Sequence, residues 1–257
     1  MTRRTLPSQI ISGLSAYFRV PGALFRYHLW PFQLLPAVIS LILSILLFGG
    51  IYFVAGGFAS WLDGLVEIPY EWLDKTVTVA IGVIAFTALV AAFFFAHKHL
   101  ALIFLAPFLG AIAEETLKAV KGDSYIKNDL TISQSLARSA KINLQYIIRE
   151  VFANLLFLLC GIIPAIGSVI SASGMFLTQA RFLGYGLMDF PLENRGLSVT
   201  ESDRFARDRT GLSIGLGAGY LFLMMIPFIG WMFAPTFGTV AGTLKAIEEL
   251  EEDPQGA

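Results

Sequence analysis

The most informative hydrophobic pattern in the chain is a pair of long apolar segments that are interrupted in the same way. The first, within residues 155–167, contains Ile-Pro-Ala-Ile-Gly, and the second, within residues 220–230, contains Ile-Pro-Phe-Ile-Gly. Proline removes a helix donor and clashes with the preceding turn, and glycine permits the reversal that follows. The pattern predicts one chain reversal in each copy, with turns at Pro164, Gly167, Pro227 and Gly230.

The apolar arms on either side of each interruption are short for a bilayer crossing. A spanning helix needs about 20 apolar residues, whereas the first two arms cover only residues 151–163 and 168–180. Paired interrupted segments of this kind are typical of membrane transport sites. We therefore predict two re-entrant helical hairpins, residues 151–180 and 212–244, that reach the middle of the bilayer and return. The alternative is two kinked helices that each cross the membrane once.

Two other segments are uncharged and long enough to cross a membrane. No charged residue lies between Arg26 and Asp63, which predicts a transmembrane helix over residues 32–54, and residues 76–96 predict a second one. The connection between these helices, residues 59–75, is acidic and contains Trp and Tyr side chains. Aromatic residues beside acids are typical of an interfacial belt on the non-cytoplasmic side.

The start of the chain has an amphipathic pattern. Between residues 7 and 19, Ile11, Leu14 and Phe18 share one helical face, which predicts a short helix at the membrane interface. Pro21-Gly22 is predicted to end this helix, so that a second helix begins near Ala23 with free amides. A helix start with a nearby arginine suits an anion. The predicted anion-binding residues are Gly22, Ala23, Leu24, Phe25 and Arg26. The alternative is a turn that directs the chain into the membrane and contacts lipid phosphates.

The segment after the second transmembrane helix mixes charged and apolar residues. Two histidines at i and i+2 in His97-Lys98-His99 point in different directions on a helix, so we expect a polar seam or a membrane edge rather than a metal site. Pro107 predicts a kink, and a charged turn ends this helix at Gly122.

Residues 123–150 have the character of a cytoplasmic surface helix. Ile132, Leu136 and Leu144 form an apolar stripe at helical spacing. Arg149-Glu150 follows at the start of the first hairpin. This pair either extends to the lipid headgroups or lines a transport pathway.

Residues 181–211, between the hairpins, are predicted to form a cytoplasmic loop and helix. The loop at 189–196 is rich in turn-forming residues, and Ser198-x-x-Glu201 has the spacing of a capping box. Arg204 and Arg207 then share one helical face and raise the local positive potential. That face stands either at the inner mouth of a pathway or on anionic lipid headgroups.

Composition assigns the chain to the integral membrane proteins. Apolar residues make up 56% of it, its mean hydropathy is +0.69, and charged residues make up 14%, against about 25% in soluble domains. The net charge of −1 gives no indication of nucleic-acid binding. Cys160 is the one cysteine and is expected to be a small core residue. No nucleophile–base pair, metal-ligand spacing or phosphate loop is visible, so we expect neither an enzyme nor a cofactor.

The distribution of Lys and Arg predicts the orientation. Residues 1–28 carry arginines and no acid, and residues 97–150 are rich in Lys and Arg, whereas the 59–75 connection has a single lysine. The positive-inside rule therefore places both termini and the central segment in the cytoplasm. The predicted all-α membrane domain, residues 1–257, divides into an interfacial helix and turn at 1–28, two long transmembrane helices at 29–122, a cytoplasmic helix at 123–150, hairpins at 151–180 and 212–244, a cytoplasmic loop and helix at 181–211, and an acidic solvated tail at 245–257.

Several short motifs, taken in order, make the chain similar to a known family. They are Pro21-Gly22 followed by an arginine, Ala106-Pro107-Phe108 with Gly110 and Glu114, Ile163-Pro164-x-Ile166-Gly167, Asp189-Phe190-Pro191-x-Glu193-Asn194, Glu201 with Arg207 and Arg209, and Ile226-Pro227. Over nearly its whole length the chain resembles the CysZ family of bacterial sulfate permeases, within the etoposide-induced-protein superfamily. It differs in having one displaced arginine, Arg26, where the family has adjacent arginines, which leaves sulfate and another oxyanion as alternatives.

The resemblance implies a multi-pass protein of the bacterial cytoplasmic (inner) membrane, with two long helices and two hemi-penetrating hairpins. It implies passage of sulfate or a related oxyanion into the cell for cysteine synthesis, and contact with membrane lipid. It also implies a homo-oligomer whose protomers pack in unusual relative orientations.

The negative charge of such an oxyanion indicates which residues are candidates for lining its pathway. A dianion crosses the bilayer core only with paired donors, and arginines and free helix N-termini are suitable donors. The predicted pathway residues are Glu114, Arg149, Glu150, Arg181, Glu201, Arg204, Arg207 and Arg209. The alternative function is a membrane-organising protein without transport activity.

Overall fold

Two helices of 34 residues each are the longest elements of the fold, and they contain the uncharged sequences that predict transmembrane helices. They belong to a computed structural model that describes residues 5–63, 71–122, 131–163 and 166–252. Within those ranges the regular elements are all α-helices: α1 (Leu6–Arg26), α2 (Trp30–Asp63), α3 (Glu71–Phe104), α4 (Ala106–Lys121), α5 (Ile132–Cys160), α6 (Ile166–Asn194), α7 (Val199–Asp208), α8 (Thr210–Met224) and α9 (Ile229–Glu252).

Helices α2 and α3 extend beyond the predicted transmembrane segments. The acidic connection between them is helical at both ends, and its central part, residues 64–70, lies outside the described residues. By length and composition, three stretches of the described chain could cross a membrane: Trp30–Gly57, Thr76–Phe104 and Ile132–Cys160. The described part of the chain is therefore all-helical and has the composition of a membrane protein, and the third stretch includes one arm of the first predicted hairpin.

Helices α3 and α4 meet at Leu105, two residues before the proline that predicted a kink. The Leu105 amide donates to the Ala101 carbonyl and the Leu105 carbonyl accepts from the Leu109 amide, both at 2.9 Å, and α4 begins with Pro107 in its first turn, where proline is tolerated best. α4 ends at Gly122, which adopts a positive φ of 57°, as expected for a glycine that stops a helix.

The first hairpin consists of α5 and α6, each continuous over 29 residues. α5 starts with a capping box in which the Gln134 amide donates to the Thr131 hydroxyl and the Thr131 amide donates to the Gln134 side chain. The helix then runs through residue 150 without a break. The predicted cytoplasmic helix and the first hairpin arm are therefore one helix, because the sequence becomes more apolar there without a helix-breaking residue.

α6 continues through a segment predicted to be a loop. The prediction of a turn-rich loop over residues 189–196 is wrong for residues 189–194, which are helical, and the chain turns only at Arg195 and Gly196. Nearly every side chain between Ala180 and Glu193 is buried. Packing on this scale outweighs the one helix hydrogen bond that Pro191 removes.

Both hairpins reverse direction at the Ile-Pro-x-Ile-Gly sequences. In the first, the Gly167 amide donates to the Ile163 carbonyl at 3.0 Å, while Pro164 and Ala165 lie outside the described residues. In the second, formed by α8 and α9, Phe228 has a positive φ of 61° and the Gly230 amide donates to the Ile226 carbonyl at 2.8 Å. Large apolar side chains are exposed at both tips: Ile162, Ile163, Ile166 and Val169 in the first, and Met225, Phe228 and Ile229 in the second.

The prediction that Pro21-Gly22 ends the first helix is wrong. α1 contains Pro21 and continues to Arg26, and the chain turns at Tyr27 and His28. Proline weakens a helix interior by about 3 kcal/mol or more, so packing on one side must hold α1 together. Its Gly13 lies against the α8 backbone, and the Tyr17 hydroxyl donates to the Leu216 carbonyl at 2.7 Å.

The opposite face of α1 is exposed and apolar. Ile11, Phe18 and Phe25 recur every seven residues and are 66%, 88% and 70% exposed. Arg19 and Arg26 lie beside this stripe and are also exposed. The amphipathic helix predicted from the sequence is present, and it is longer than predicted.

The centre of the fold is the contact of α6 with α8, flanked by α1, α4 and α9. Gly184 of α6 lies against the Ser213 backbone, and Gly217 of α8 lies against the Ala180 backbone. Glycine at both positions lets the two helix backbones approach more closely than side chains would permit.

The acidic end of α9 makes ion pairs with three other parts of the fold. Glu248 pairs with Arg19, Glu249 accepts a hydrogen bond from Arg209 at 3.0 Å, and Glu251 pairs with Lys121. The prediction of a solvated tail is therefore wrong for residues 245–250, because basic side chains of α1, α4 and the α7–α8 junction lie within reach of this helix end, whereas Glu251 and Glu252 are exposed.

Candidate functional site

A buried ionic cluster joins α3 to α5. The Lys98 ammonium donates to Glu150 Oε1, and His99 Nε2 lies 3.2 Å from Glu150 Oε2. His99 Nδ1 lies 3.5 Å from the Asn143 side-chain oxygen. The Lys98 and Glu150 side chains are fully buried, and that of His99 is 5% exposed. Buried charges are retained only when they are paired, so this cluster fixes α3 against α5.

The three residues of His97-Lys98-His99 point into different environments, as their spacing predicted. Lys98 and His99 form the polar seam with Glu150. His97 is fully buried, its ring centroid lies 5.7 Å from that of Phe93, and neither of its nitrogens has a hydrogen-bond partner in the described part of the chain. Arg149 does not pair with Glu150, so the two adjacent residues belong to separate sites.

A second ionic junction ties α5 to α6 and α7. Arg138 donates to both carboxylate oxygens of Asp189, at 2.7 and 3.3 Å, to the Leu197 carbonyl at 2.6 Å and to the Ser202 hydroxyl at 2.9 Å. Sequence reasoning did not select Arg138. The available signal was the four-residue spacing of Asp189 and Glu193, which places two acids on one helical face.

Glu193 beside this junction gives the protein a pH-dependent stability. Burial raises the pKa of its carboxyl group to about 7, and the neighbouring Asp189 charge contributes to the same shift. Between the ordinary pKa of 4.5 and about 7, the unfolded chain has released this proton while the folded protein still binds it. Because the folded state binds more protons in this window, the free energy of unfolding falls as pH rises.

We expect Glu193→Gln to remove this decrease in the free energy of unfolding with rising pH. Wild-type protein in detergent should lose up to about 3 kcal/mol between about pH 4.5 and pH 7.5 through this group. The glutamine variant stays neutral and should hold its melting temperature over the same window. Thermal unfolding at several pH values is the measurement. Parallel declines in both proteins would contradict the assignment of the effect to Glu193.

A polar cavity lies between α5 and α7. Its volume is about 250 Å³, and its lining consists of Lys141, Gln145, Arg149, Val199, Thr200, Asp203 and Arg207. Asp203 accepts hydrogen bonds from Arg149 at 2.9 and 3.1 Å and forms an ion pair with Arg207 at 3.2 Å. The structure thus brings two of the predicted pathway arginines together on one carboxylate.

The predicted capping box positions the α7 side of this cavity. The Glu201 amide donates to the Ser198 hydroxyl, and the Ser198 amide donates to the Glu201 side chain at 2.7 Å. α7 therefore begins at Val199 with Thr200 and Asp203 on the side that faces α5. Glu201 fixes the start of this helix and does not line the cavity.

The other predicted pathway residues are dispersed. Arg209 is largely buried, pairs with Glu249 and stacks on the Phe205 ring at 3.8 Å. Arg181 donates to the Tyr185 hydroxyl at 2.7 Å, and Glu114 pairs with Lys118 at 2.8 Å on α4. Arg204 is exposed on α7 and does not line the cavity.

The predicted anion-binding residues 22–26 form the last turn of α1 rather than the first turn of a second helix. Their amides are used inside α1, so the free donors expected of a helix start are absent from these residues. Arg26 is exposed, with its guanidinium 5.6 Å from the Tyr27 ring centroid. Anion binding at this turn stays a prediction that depends on the charge of Arg26.

Comparisons with known proteins cover most of the chain. A family model described as "Sulfate transporter CysZ/Etoposide-induced protein 2.4" matches residues 16–235. A protein named "Sulfate transporter CysZ" from Vibrio parahaemolyticus serotype O3:K6 is 26% identical over 224 residues, which are 82% of this chain and 89% of the relative. Two proteins of the same name from Pseudomonas fluorescens are similar: that of strain Pf0-1 is 28% identical over 218 residues, 82% of each chain, and that of strain ATCC BAA-477 is 29% identical over 217 residues, 82% of this chain and 83% of the relative.

Proposed function

Because the chain belongs to the Sulfate transporter CysZ/Etoposide-induced protein 2.4 family, whose model matches residues 16–235, we propose that it is a permease for sulfate or a related oxyanion. It acts in the bacterial cytoplasmic membrane and supplies sulfate for cysteine biosynthesis. The observation that carries this proposal is the similarity to proteins named as sulfate transporters over 82% of the chain. The three long apolar helices support it, since a permease must cross the bilayer.

The arrangement we propose is two transmembrane helices, α2 and α3, with two hairpins that enter and leave the membrane on the cytoplasmic side. Exposed apolar tips on both hairpins support it, because isoleucine and phenylalanine at a turn are stable in lipid and costly in water. The polar junctions of Arg138 and Asp203 lie away from those tips, at the bases of the hairpins. Membrane lipid and further copies of the chain are the partners we propose for the apolar faces.

Cysteine labelling tests this topology. In a Cys160→Ala background, Phe228→Cys is expected to resist a membrane-impermeant thiol reagent from both sides, because the tip lies within the bilayer. Gly196→Cys, on the turn between α6 and α7, is expected to react from the cytoplasmic side only. Labelling of Gly196→Cys from the periplasmic side of intact cells would show that a helix of the first hairpin crosses the membrane completely.

We propose that the pathway reaches the cytoplasm near Arg149 and Arg207, the two predicted residues that share a cavity. Glu201 and Arg209 support this region through the capping box and the pair with Glu249. Pathway roles for Glu114, Glu150, Arg181 and Arg204 stay predictions.

Uptake of radiolabelled sulfate by reconstituted protein tests the proposed function. Proteoliposomes are expected to take up sulfate faster than protein-free vesicles, and other tetrahedral oxyanions are expected to compete. A membrane-organising protein without transport activity predicts equal uptake in both preparations. Equal uptake with correctly folded, inserted protein would therefore remove the permease proposal and favour that alternative.

A further inference from the structure

Two polar stripes face each other across the cavity between α5 and α7. On α5 the stripe is Lys141, Gln145 and Arg149, and on α7 it is Thr200, Asp203 and Arg207. Members of each stripe are separated by three or four residues, which places them on one helical face. Both helices therefore turn hydrogen-bonding side chains toward the same space.

The charges of these side chains do not cancel. Lys141, Arg149 and Arg207 carry three positive charges against the single negative charge of Asp203, so the lining has a net charge of +2. Asp203 is 8% exposed and is already shared by the two arginines. Lys141 makes no ion pair with any residue in the described part of the chain. A ligand with two negative charges would therefore neutralise the cavity lining.

The donors around the cavity also match an anion in kind. Arginine and lysine offer charge-assisted hydrogen bonds to oxyanions, and the Gln145 amide and Thr200 hydroxyl can add neutral ones. The cavity lies at the first turn of α7, where the helix dipole contributes partial positive charge. Asp203 holds Arg149 and Arg207 in place without closing the cavity.

We propose that this cavity binds a tetrahedral dianion, sulfate or phosphate, between Lys141, Arg149 and Arg207. The site deepens the proposed function and rests on it for the choice of sulfate as the physiological ligand. The volume of about 250 Å³ is many times the ~10–15 Å³ that one water molecule needs, so the anion enters with part of its hydration shell. Binding is therefore weak and reversible, which suits the cytoplasmic end of a permeation route.

Sulfate titration of the full-length protein in a neutral detergent tests the site. Lys141→Gln and Arg207→Gln are each expected to weaken sulfate binding roughly tenfold, because each removes one charged donor. Arg195→Gln is the matched control, since it removes the same charge from an exposed position outside the cavity lining, and its affinity should change less than twofold.

Two kinds of competitor distinguish a free dianion from a lipid headgroup as the ligand. Inorganic sulfate and phosphate represent the free dianion, and phosphatidylglycerol added to the detergent represents a lipid headgroup phosphate. Displacement of sulfate by phosphate, and not by the lipid, supports a site for the free dianion. Displacement by the lipid alone, with no direct phosphate binding, would overturn it in favour of a headgroup site.

The outcomes separate this site from the transport proposal. If wild-type protein binds sulfate and the cavity variants lose it, but vesicles show no uptake, the site stands and the permease proposal fails. If uptake occurs and the cavity variants bind sulfate with wild-type affinity, the site is wrong and the permease proposal stands. If Arg26→Ala loses sulfate binding and the cavity variants do not, the anion binds at the turn after α1. That result would also contradict the proposed cavity site.

Discussion

Lys98→Met is expected to destabilise the protein by about 3 to 5 kcal/mol, the usual effect of removing one partner from a buried ion pair. The Lys98 and Glu150 side chains are both fully buried, and Lys98 is the only lysine or arginine that pairs with Glu150 in the described residues. Methionine fills a similar volume, so the loss comes from a buried carboxylate that has lost its lysine and keeps only His99 as a partner, and not from a cavity. Thermal or denaturant unfolding in detergent is the measurement.

The matched variants identify the cause. Lys98→Met combined with Glu150→Leu should recover most of the loss, because the buried charge is then removed as well. Lys118→Met, in the partly exposed pairs with Glu114 and Glu115, should cost less than about 1 kcal/mol. If Lys98→Met is as mild as Lys118→Met, the α3–α5 cluster does not hold the two helices together.

Gly184→Val should disrupt the contact between α6 and α8, at a cost of about 3 kcal/mol or more. A side chain at Gly184 would overlap the Ser213 backbone, and a helix backbone cannot move aside as a flexible side chain can. Gly217→Val should act in the same way, because Gly217 lies against the Ala180 backbone. Melting temperature and the fraction of monodisperse protein after extraction both report this effect.

Gly110→Ala is the control for this prediction. A side chain built at Gly110 would meet no atom within 4 Å. The Asn194 side chain donates to the Gly110 backbone carbonyl, which alanine retains. Alanine raises helix propensity by up to about 1 kcal/mol, so this variant should be neutral or slightly stabilised. Wild-type stability for Gly184→Val would mean that α6 and α8 are farther apart than the structure places them.

Features that depend on local sequence could be predicted. The capping box of Ser198 and Glu201 and the glycine stop at Gly122 each depend on a few neighbouring residues, and both are present. The long uncharged segments also form helices, since nothing in them competes with helical hydrogen bonding.

Helix ends that depend on packing could not be predicted. Pro21 and Pro191 both lie inside helices, although each is a helix breaker by its own chemistry. Their helices persist because other helices cover the neighbouring residues, which a reading of the local sequence does not include.

The partners of the buried charged residues could not be predicted either, because partners lie far apart in the sequence. Lys98 and Glu150 are 52 positions apart, and Arg138 and Asp189 are 51 apart. Charge alone therefore selected Arg149 and Arg207 without their shared partner Asp203. Lys141, Gln145 and Arg149 recur every four residues, and this spacing was the signal that would have added the α5 side of the cavity.

The ion pairs at the end of α9 determine when the protein can finish assembling. Arg19 precedes its partner Glu248 by 229 residues. At synthesis rates of about 5–20 residues per second, α1 exists for roughly 10–50 s before that partner is made. Lys121 likewise precedes Glu251 by 130 residues. These pairs close only after both hairpins have been translated, so their formation marks a late stage of biogenesis.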